Sequence, residues 1–206
     1  KGKMKFMKNL LRVFFIVFFV STSSNIANAK SGQTSFGIEL GFGFADIGAE
    51  ETAQAIANLS GSTTTVTYDR GAFAGRIYLE YGLSDELSID AGYIMSGDID
   101  ATYTLNGASA TESYSVSGLD AALSYSPPGQ GFFFKGGFHS SEIEGNASVT
   151  VGGTTYAATA SASGEGYLVG AGFDFSDNSR VGYTYYANMG GDAEADVGFL
   201  YYGYRF

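Results

Sequence analysis

The sequence predicts an all-β fold: an eight-stranded antiparallel up-and-down transmembrane β-barrel, preceded by a signal peptide. Three observations predict it. Eight segments alternate apolar and polar side chains, and each has about 10 residues, the length that a tilted strand needs to cross a hydrocarbon layer. Short and long connections alternate between the segments. A short apolar run follows basic residues near the N-terminus.

The N-terminal run has the form of a secretory signal peptide covering residues 1–29. Basic residues lead into an apolar stretch at 13–20, and a small-x-small site ends at Ala29. The stretch is too short for a retained membrane helix, which needs about 20 apolar residues. Residues 1–3 precede Met4, the expected initiator, and are expected to be non-native or upstream residues.

Removal of the signal peptide makes the chain strongly acidic. Five of the 11 basic residues leave with it and all 21 acidic residues stay, so the predicted mature chain, 30–206, carries 6 − 21 = −15. Such a surface excludes nucleic acid as a partner. The absence of cysteine excludes a disulfide framework. The length fits a single barrel domain, and 30 glycines with 16% aromatic residues favour strands over helices.

Eight predicted strands carry one apolar and one polar face. In the first, Phe36, Ile38 and Leu40 share one face and Glu39 lies on the other, because successive strand side chains point to opposite sides. The predicted strands are 35–45, 72–83, 87–97, 116–125, 132–141, 166–175, 180–189 and 196–206.

The connections between the strands differ in length. Those at 84–86, 126–131 and 176–179 are tight, whereas the other connections are the long segments 46–71, 98–115 and 142–165 and a short one at 190–195. Outer-membrane barrels have short periplasmic turns and long extracellular loops. This pattern therefore places both termini in the periplasm and the long loops outside the cell.

Some loop segments are expected to be structured. Residues 98–105 continue the phase of strand 87–97 to a turn at Asn106-Gly107, and Gly152-Gly153 marks a second hairpin tip. A short helix is expected within 50–58. The small polar stretch 157–164 is expected to be mobile or weakly paired.

The distribution of charge decides which face of the barrel meets lipid. A lipocalin-like barrel would turn its apolar face inward around a ligand. Here the apolar face carries almost no charge and includes tyrosines suited to interfacial girdles, so lipid is expected outside and a polar lumen inside. Nine charged residues lie on the opposite, luminal face: Glu39, Arg76, Glu80, Asp90, Asp120, Lys135, Asp174, Arg180 and Arg205.

The last strand carries a resemblance to a known family. Tyr202, Tyr204 and Phe206 end the chain on one apolar face, which resembles the C-terminal insertion signal of bacterial outer-membrane barrels. With the strand pattern, the mature chain resembles the OmpA/OmpX-like family of eight-stranded barrels, including the porin-opacity type. The resemblance implies a Gram-negative outer membrane, with lipopolysaccharide and the barrel-insertion machinery as partners. The chain stops at the barrel, so no peptidoglycan-binding domain is expected.

The luminal charges have two possible roles. A plug would fill the lumen with paired charges, because an eight-stranded barrel is just wide enough for side chains and buried charges need partners. A salt-bridge gate would open a narrow ion path, as the resemblance allows. The first six luminal charges are expected in the periplasmic half to the middle, and Asp174, Arg180 and Arg205 near the periplasmic rim. Opposite glycines are expected to make room for the long side chains, namely Gly41, Gly92, Gly137, Gly170 and Gly172.

His139 and Ser141 form the strongest candidate for catalysis. Some outer-membrane lipid A deacylases carry a His-x-Ser pair on the lipid-facing wall. Here Phe134 and Phe138 define the outward face, so the pair points into the lumen, and Glu142 stands where that motif has Asn. The favoured interpretation is a luminal histidine hydrogen-bonded to its neighbours.

The long loops are acidic and offer a surface for interaction. Adhesion, receptor binding and Ca²⁺ bridging to lipopolysaccharide are the functional alternatives to a solvated coat. Asp98-Ile99-Asp100 lacks the further ligands of a calcium loop. The acidic loop residues are Asp46, Glu50, Glu51, Asp69, Asp98, Asp100, Glu112, Glu142, Glu144, Glu165, Asp192 and Glu194.

These observations favour a structural role in the envelope combined with an adhesion-like surface role. No catalytic residue, cofactor or metal site is predicted. A narrow, porin-like channel is the main alternative, and an outer-membrane lipid-modifying enzyme is the weaker one. The loops 46–71, 98–115 and 142–165 are the candidate sites for an extracellular partner.

Overall fold

The described residues form ten strands and one helix. The computed structural model describes residues 31–45, 48–106, 108–151, 153–191 and 195–206, so the predicted signal peptide lies outside them. The elements are β1 Thr34–Ala45, α1 Ala49–Ser60, β2 Thr64–Tyr68, β3 Gly71–Gly82, β4 Leu87–Ser96, β5 Ile99–Leu105, β6 Ala108–Tyr125, β7 Phe132–Val151, β8 Thr154–Asp174, β9 Ser179–Met189 and β10 Ala195–Arg205.

Eight of these strands close into an antiparallel barrel, which confirms the predicted fold class. Their order around the barrel is β1, β3, β4, β6, β7, β8, β9 and β10, and β10 pairs with β1 to complete the ring. Gly37 faces Arg205 across this seam, and the Phe206 amide donates a hydrogen bond of 2.8 Å to the Phe36 carbonyl. In the part of the chain that the structure describes, no helix is long and apolar enough to span a bilayer.

The barrel wall is apolar on the outside. The side chains of Leu119 and Phe138 are 65% and 76% exposed, whereas Asp120 and His139, which follow them along the chain, are buried. This alternation recurs in every barrel strand and places the apolar face outward, as predicted. A lipocalin-like arrangement, with the apolar face turned toward an internal ligand, is therefore wrong for this chain.

Three barrel strands continue well beyond the others on the side of the long connections. The predicted strands within β6, β7 and β8 are extended by up to twelve residues, and β7 pairs with β8 without interruption up to Val151 and Thr154. Together with β5 and β2 they form a five-stranded sheet in the order β2-β5-β6-β7-β8. We call the part of this sheet that lies beyond the barrel the extension; it consists of β2, β5 and the added residues of β6, β7 and β8.

The stretch 157–164 is fully paired on one side, contrary to the expectation of weak pairing. Each of its residues faces a residue of β7 within 141–148. On its other side, the described pairing of β8 with β9 begins only at Leu168. Small polar side chains do not weaken this hairpin, because its backbone hydrogen bonds do not depend on side-chain size.

A β-bulge reverses the side-chain phase between β4 and β5. Met95 pairs with Ser117 and Ile99 pairs with Tyr114, so four steps along one strand match three along the other. The predicted hairpin with a turn at Asn106 is present, and Asn106 has a φ of 51°, while Gly107 lies outside the described residues. The predicted continuous phase is wrong: Ile99, with Ala101 and Tyr103 after it, faces the inner side.

Helix α1 packs on the inner side of β2 and β5. It is slightly longer than the predicted helix within 50–58, and it lies between Gly48 and Gly61, both in the left-handed conformation with φ of 63° and 64°. Ala49 and Ala53 are buried against Ala101 and Tyr103. The phase reversal therefore provides the apolar surface on which the helix packs.

Glu112 on β6 forms hydrogen bonds beside this packed helix. It accepts hydrogen bonds from the hydroxyls of Tyr103, at 3.0 Å, and Tyr114, at 2.9 Å. Burial, followed by the hydrogen bond to Glu112, raises the pKa of Tyr114 to about 12 and also raises the pKa of Tyr103. Both phenols therefore stay protonated donors at neutral pH.

Candidate functional site: the filled lumen

Arg76 is the centre of a buried charge cluster in the middle of the lumen. Its guanidinium forms a bidentate pair with Asp120, in which Nε donates at 2.8 Å, and it also contacts Asp90 and, at 3.5 Å, Glu39. These carboxylates come from β6, β4 and β1, so one side chain of β3 links four strands. All four side chains are almost fully buried.

Lys135 extends the cluster across the whole width of the barrel. Its Nζ lies 3.8 Å from Glu39 Oε2, although β7 and β1 lie four strands apart in either direction around the ring. Tyr186 on β9 donates to Asp120 at 3.0 Å, and the Tyr201 ring lies 5.1 Å from Lys135 Nζ. The central cluster thus occupies the cross-section of the barrel.

A second cluster, which we call the charge ring, alternates in charge and lies nearer the end of the barrel where β1 begins. Arg180 contacts Asp174 at 2.9 Å and Glu80 at 3.6 Å, and Arg205 contacts Glu80 at 3.2 Å and Asp174 at 3.3 Å. Each ion therefore has two partners of opposite sign. The Phe133 ring packs 4.5 Å from the Arg180 guanidinium carbon.

All nine luminal charges lie inside the barrel, in these two clusters. Glu80, which was expected with the five central residues, pairs with Arg180 and Arg205 of the charge ring instead. It faces Ser35 at the start of β1, whereas Arg76 faces Glu39 farther along that strand. The ring is neutral, with two cations and two carboxylates, and the central cluster has two cations and three carboxylates.

An apolar layer that was not predicted from the sequence closes the lumen toward the extension. Val116 and Ile143 face each other across β6 and β7 on the inner side. A register shift between Ala195 and Val197 places Met189 at this level. The sequence does carry a signal for this layer: residues such as Ile94 are apolar at strand positions where the alternation predicts a polar, inward-facing side chain. The buried members include Ala74, Ile94, Val116, Ile143, Met189, Val197 and Phe199.

Glycines make room for the luminal side chains at some of the expected positions. A Cβ at Gly92 would lie 2.6 Å from Arg76 Nε. At Gly170 a Cβ would lie 2.8 Å from the Tyr183 carbonyl oxygen and 3.0 Å from Lys135 Cγ, so backbone and side chain share that space. At Gly172 the space is shared by the Phe133 ring and backbone. The expectation is wrong at Gly41 and Gly137, where the nearest atoms are backbone carbonyl oxygens of adjacent strands.

His139 and Ser141 are buried in the lumen and are held by backbone groups. His139 Nε2 lies 2.8 Å from the Ala187 carbonyl oxygen, and its ring packs edge-on against Tyr186 at 5.6 Å. The Gly190 amide donates to Ser141 Oγ at 3.2 Å. The pair is thus separated from the lipid-facing wall, where a lipid-modifying enzyme would need it.

The acidic loop residues are spread over the extension. Glu50 on α1 accepts from the Tyr68 hydroxyl at 2.7 Å and pairs with Arg70 at 3.3 Å. Glu142 and Glu144 are exposed on β7. Within the described ranges, no group of three side chains is arranged to hold a metal ion. Asp46, Asp192 and Glu194 lie outside the described residues.

The proposed insertion signal lies on the outer wall beside the seam. Tyr202, Tyr204 and Phe206 are exposed. Phe206 packs against Tyr204 at 4.9 Å between ring centroids and lies 5.9 Å from Phe36 on β1. These rings form an aromatic group at the end of the barrel where β1 begins.

Comparison with solved structures supports the fold. The attachment invasion locus protein Ail of Yersinia pestis superposes with a TM-score of 0.56 at 13% identity, over 85% of this chain and 99% of that chain. Its complex with the heparin analogue sucrose octasulfate gives 0.52 at 12%, over 84% and 99%. The outer membrane protein OprG from Pseudomonas aeruginosa gives 0.50 at 12%, over 88% and 99%. At such identities the likeness establishes the fold alone.

Sequence comparison adds no assignment, since no protein-family model and no curated protein matches the chain.

The first prediction tests the fit between Arg76 and the opposite wall. Gly92→Ala should destabilise the barrel by about 1–3 kcal/mol, because the new methyl group would displace the guanidinium from its carboxylates. Gly136→Ala is the matched control: its Cβ would point outward, with the nearest atom 3.9 Å away, and should change stability by less than about 1 kcal/mol. Urea unfolding in lipid vesicles measures both; equal effects would contradict the prediction.

The second prediction concerns the central cluster itself. Arg76→Ala should lower the free energy of unfolding by about 3–5 kcal/mol, because it leaves three buried carboxylates without their main partner. The control Arg70→Ala breaks a pair whose side chains are 74% and 66% exposed, and it should cost less than about 1 kcal/mol. Unfolding midpoints of the two variants in the same vesicles test the difference.

Proposed function

We propose that the chain is an OmpA/OmpX-like β-barrel of a Gram-negative outer membrane, with a role in envelope integrity and in adhesion-like contacts at the cell surface. Its apolar outer wall fits a bilayer. The predicted signal peptide and the aromatic C-terminal strand support export and insertion by the barrel-insertion machinery. In this orientation the termini lie in the periplasm and the extension lies outside the cell.

The filled lumen is the observation that carries the proposal. Two charge clusters and an apolar layer occupy it, and side chains such as Arg76 and Lys135 cross it. The barrel then serves as a rigid support in the membrane. The residues available for contacts with other molecules are those of the extension.

The electrostatics of the extension limit the kind of partner it would accept. Arg70 is the only Lys or Arg in 46–71, 98–115 and 142–165. Ail has been solved with a heparin analogue, but a highly sulfated sugar would be repelled by the acidic residues of this chain. A neutral or basic surface suits the extension better.

The two alternatives fit the geometry less well. A narrow channel needs a water-filled path, and the crossing ion pairs of Arg76 and Lys135 oppose one. A lipid-modifying enzyme needs its catalytic groups on the outer wall, whereas His139 and Ser141 are buried inside. The proposal therefore includes no catalysis, no cofactor and no metal.

The third prediction separates the plug from the gate. The purified barrel in planar bilayers should show no discrete conductance steps, and Arg76→Ala should show none either, because the charge ring and the apolar layer still block the lumen. Steps in the natural protein that change in size or frequency in Arg76→Ala would favour the gate.

The fourth prediction tests the surface role of the extension. Residues 146–159 can be replaced by Asn-Gly, since Gly145 faces Ala160 and a two-residue turn joins such a pair. Vesicles carrying this variant should bind cultured epithelial cells and immobilised fibronectin or laminin several-fold less than vesicles carrying the full barrel. Equal binding by both, with the barrel folded in each, would contradict an adhesive role for this hairpin.

A further inference from the structure

Within the extension, one edge of β8 has no neighbouring strand among the described residues. β8 pairs with β7 over its full length, but its described pairing with β9 begins only at Leu168. The tip that follows β9 lies against Gly164, since a Cβ there would come within 2.0 Å of the Gly191 amide nitrogen. Beyond that tip, residues 154–162 form the end of the described sheet, and we call this segment the open edge.

Backbone hydrogen bonds show which groups of the open edge are available. The Asp174 amide donates to the carbonyl of Gly131 at 2.7 Å, so Asp174 and every second residue before it direct their backbone groups toward β7. The odd-numbered residues direct theirs away from β7, and Asn188 Nδ2 donates to one of them, the Glu165 carbonyl, at 3.0 Å. The register with β7 is constant up to Thr154. In the open edge the residues that present an N–H and a C=O group to a further strand are Thr155, Ala157, Thr159 and Ser161.

The open edge lacks the features that protect the edges of natural sheets. Charged residues, proline and β-bulges normally keep an edge strand from pairing with another chain. Residues 145–164 contain no Asp, Glu, Lys, Arg or Pro, and no register shift interrupts this part of the β7–β8 pair. The sequence therefore leaves the open edge suited to accept a strand from another molecule.

The open edge is complementary to itself in an antiparallel arrangement. If Ala158 of one copy faces Ala158 of another, Thr155 faces Ser161 and Ala157 faces Thr159. Facing residues of this kind exchange two backbone hydrogen bonds. This register therefore pairs every available N–H and C=O group of both open edges, which no other register does.

The side chains match in the same register. The exposed Tyr156 ring lies opposite the small Ala160 of the other copy, and the hydroxyls of Thr155 and Ser161 meet on the other side of the sheet. Glu144, the acidic residue of β7 nearest to the tip, lies at least three strand spacings from Glu144 of the other copy, about 14 Å. That distance exceeds the Debye length of about 8 Å at physiological ionic strength, so the acidic character of the chain does not oppose the contact.

The direction of β8 decides where the second copy lies. Copies inserted with one orientation in the same membrane hold their β8 strands parallel to each other. Antiparallel pairing needs a copy whose extension points the opposite way, as it does in an apposed membrane. A two-fold axis through the facing Ala158 residues relates the two copies, so the contact is closed and self-complementary.

We propose that the open edge pairs with the open edge of a second copy of this chain in an apposed outer membrane. The inference rests on the adhesion-like role proposed above and identifies one partner of that role as the protein itself. The two extensions join into one continuous sheet, held by backbone hydrogen bonds. The neutral composition of 145–164 agrees with the preference of the extension for a neutral or basic surface.

Disulfide cross-linking tests the register, because the chain has no cysteine of its own. Ala158→Cys lies at the two-fold axis, where facing Cα atoms are about 4.5 Å apart and a disulfide can form. Ala160→Cys is the matched control, since both alanines are exposed on the same side of β8, but equivalent positions 160 would be four residues apart, about 13 Å. With copper phenanthroline as oxidant, lipid vesicles carrying Ala158→Cys should form covalent dimers several-fold faster. Equal rates for the two variants would overturn the register.

A proline substitution tests the backbone contact. The Thr159 N–H points away from β7, so Thr159→Pro leaves the β7–β8 pairing intact and removes a donor that the second copy needs. Thr159→Ala keeps that N–H and loses only the hydroxyl bond to Asn146. By light scattering, vesicles with the natural protein or Thr159→Ala should aggregate, and vesicles with Thr159→Pro should stay dispersed. Equal aggregation of all three, or dispersed vesicles of the folded natural protein, would overturn the contact.

Dilution and mixing test the position and the identity of the partner. Dimers of Ala158→Cys should disappear as the vesicles are diluted, and a yield independent of vesicle concentration would overturn the apposed-membrane arrangement. Fluorescent vesicles with Thr159→Pro should stay out of aggregates formed by the natural protein, and their entry would show that another surface makes the contact.

Binding to cultured epithelial cells separates this inference from the proposed function. If vesicles with the natural protein stay dispersed but still bind the cells, the self-contact is overturned and the adhesion-like role stands. If they aggregate through the open edge but bind neither cells nor immobilised fibronectin or laminin, the self-contact is supported and the wider adhesive role is contradicted.

Discussion

The pairing of Arg76 with carboxylates of three other strands is the interaction on which the lumen depends. A charge removed from water is stable only with partners of opposite sign. Arg76 obtains them from β1, β4 and β6, so the strands must hold one register relative to one another. A one-residue slip would turn these side chains toward lipid. The same contacts that satisfy the buried charges therefore specify the barrel.

The lumen and the extension are packed differently, although β6, β7 and β8 contribute to both. Within the barrel the inner side carries paired charge and aromatic rings, while the large apolar side chains lie on the outside. In the extension the apolar side chains of β5 turn inward, where Ala101 and Tyr103 pack against helix α1. The bulge between β4 and β5 makes this exchange possible without ending the sheet, because one extra residue reverses the phase.

Much of the barrel could be predicted from the sequence, because its strands obey one rule over their whole length. Alternation located all eight wall strands and the outward face, and the charges at luminal positions followed from it. The bulge after Ser96 could not be predicted, because a single inserted residue leaves local alternation intact and changes only its phase. Met189 was missed for the same reason, because a second register shift near Ala195 brings it inside, whereas Ile94 and Val116 of the same apolar layer keep the inward phase of their strands. The helix itself was expected within 50–58, but the surface on which α1 packs could not be predicted, because that surface depends on the phase reversal between β4 and β5.

The seam between β1 and β10 also has a kinetic consequence. Hairpins such as β7–β8 join residues close in sequence and can form early, whereas the seam joins Gly37 to Arg205. Contacts so distant in the chain form slowly, because the loop must close before they can stabilise anything. Until then, the unpaired edges of β1 and β10 are exposed to other strands. The time between hairpin formation and seam closure is thus the interval in which this chain is most exposed to misassembly.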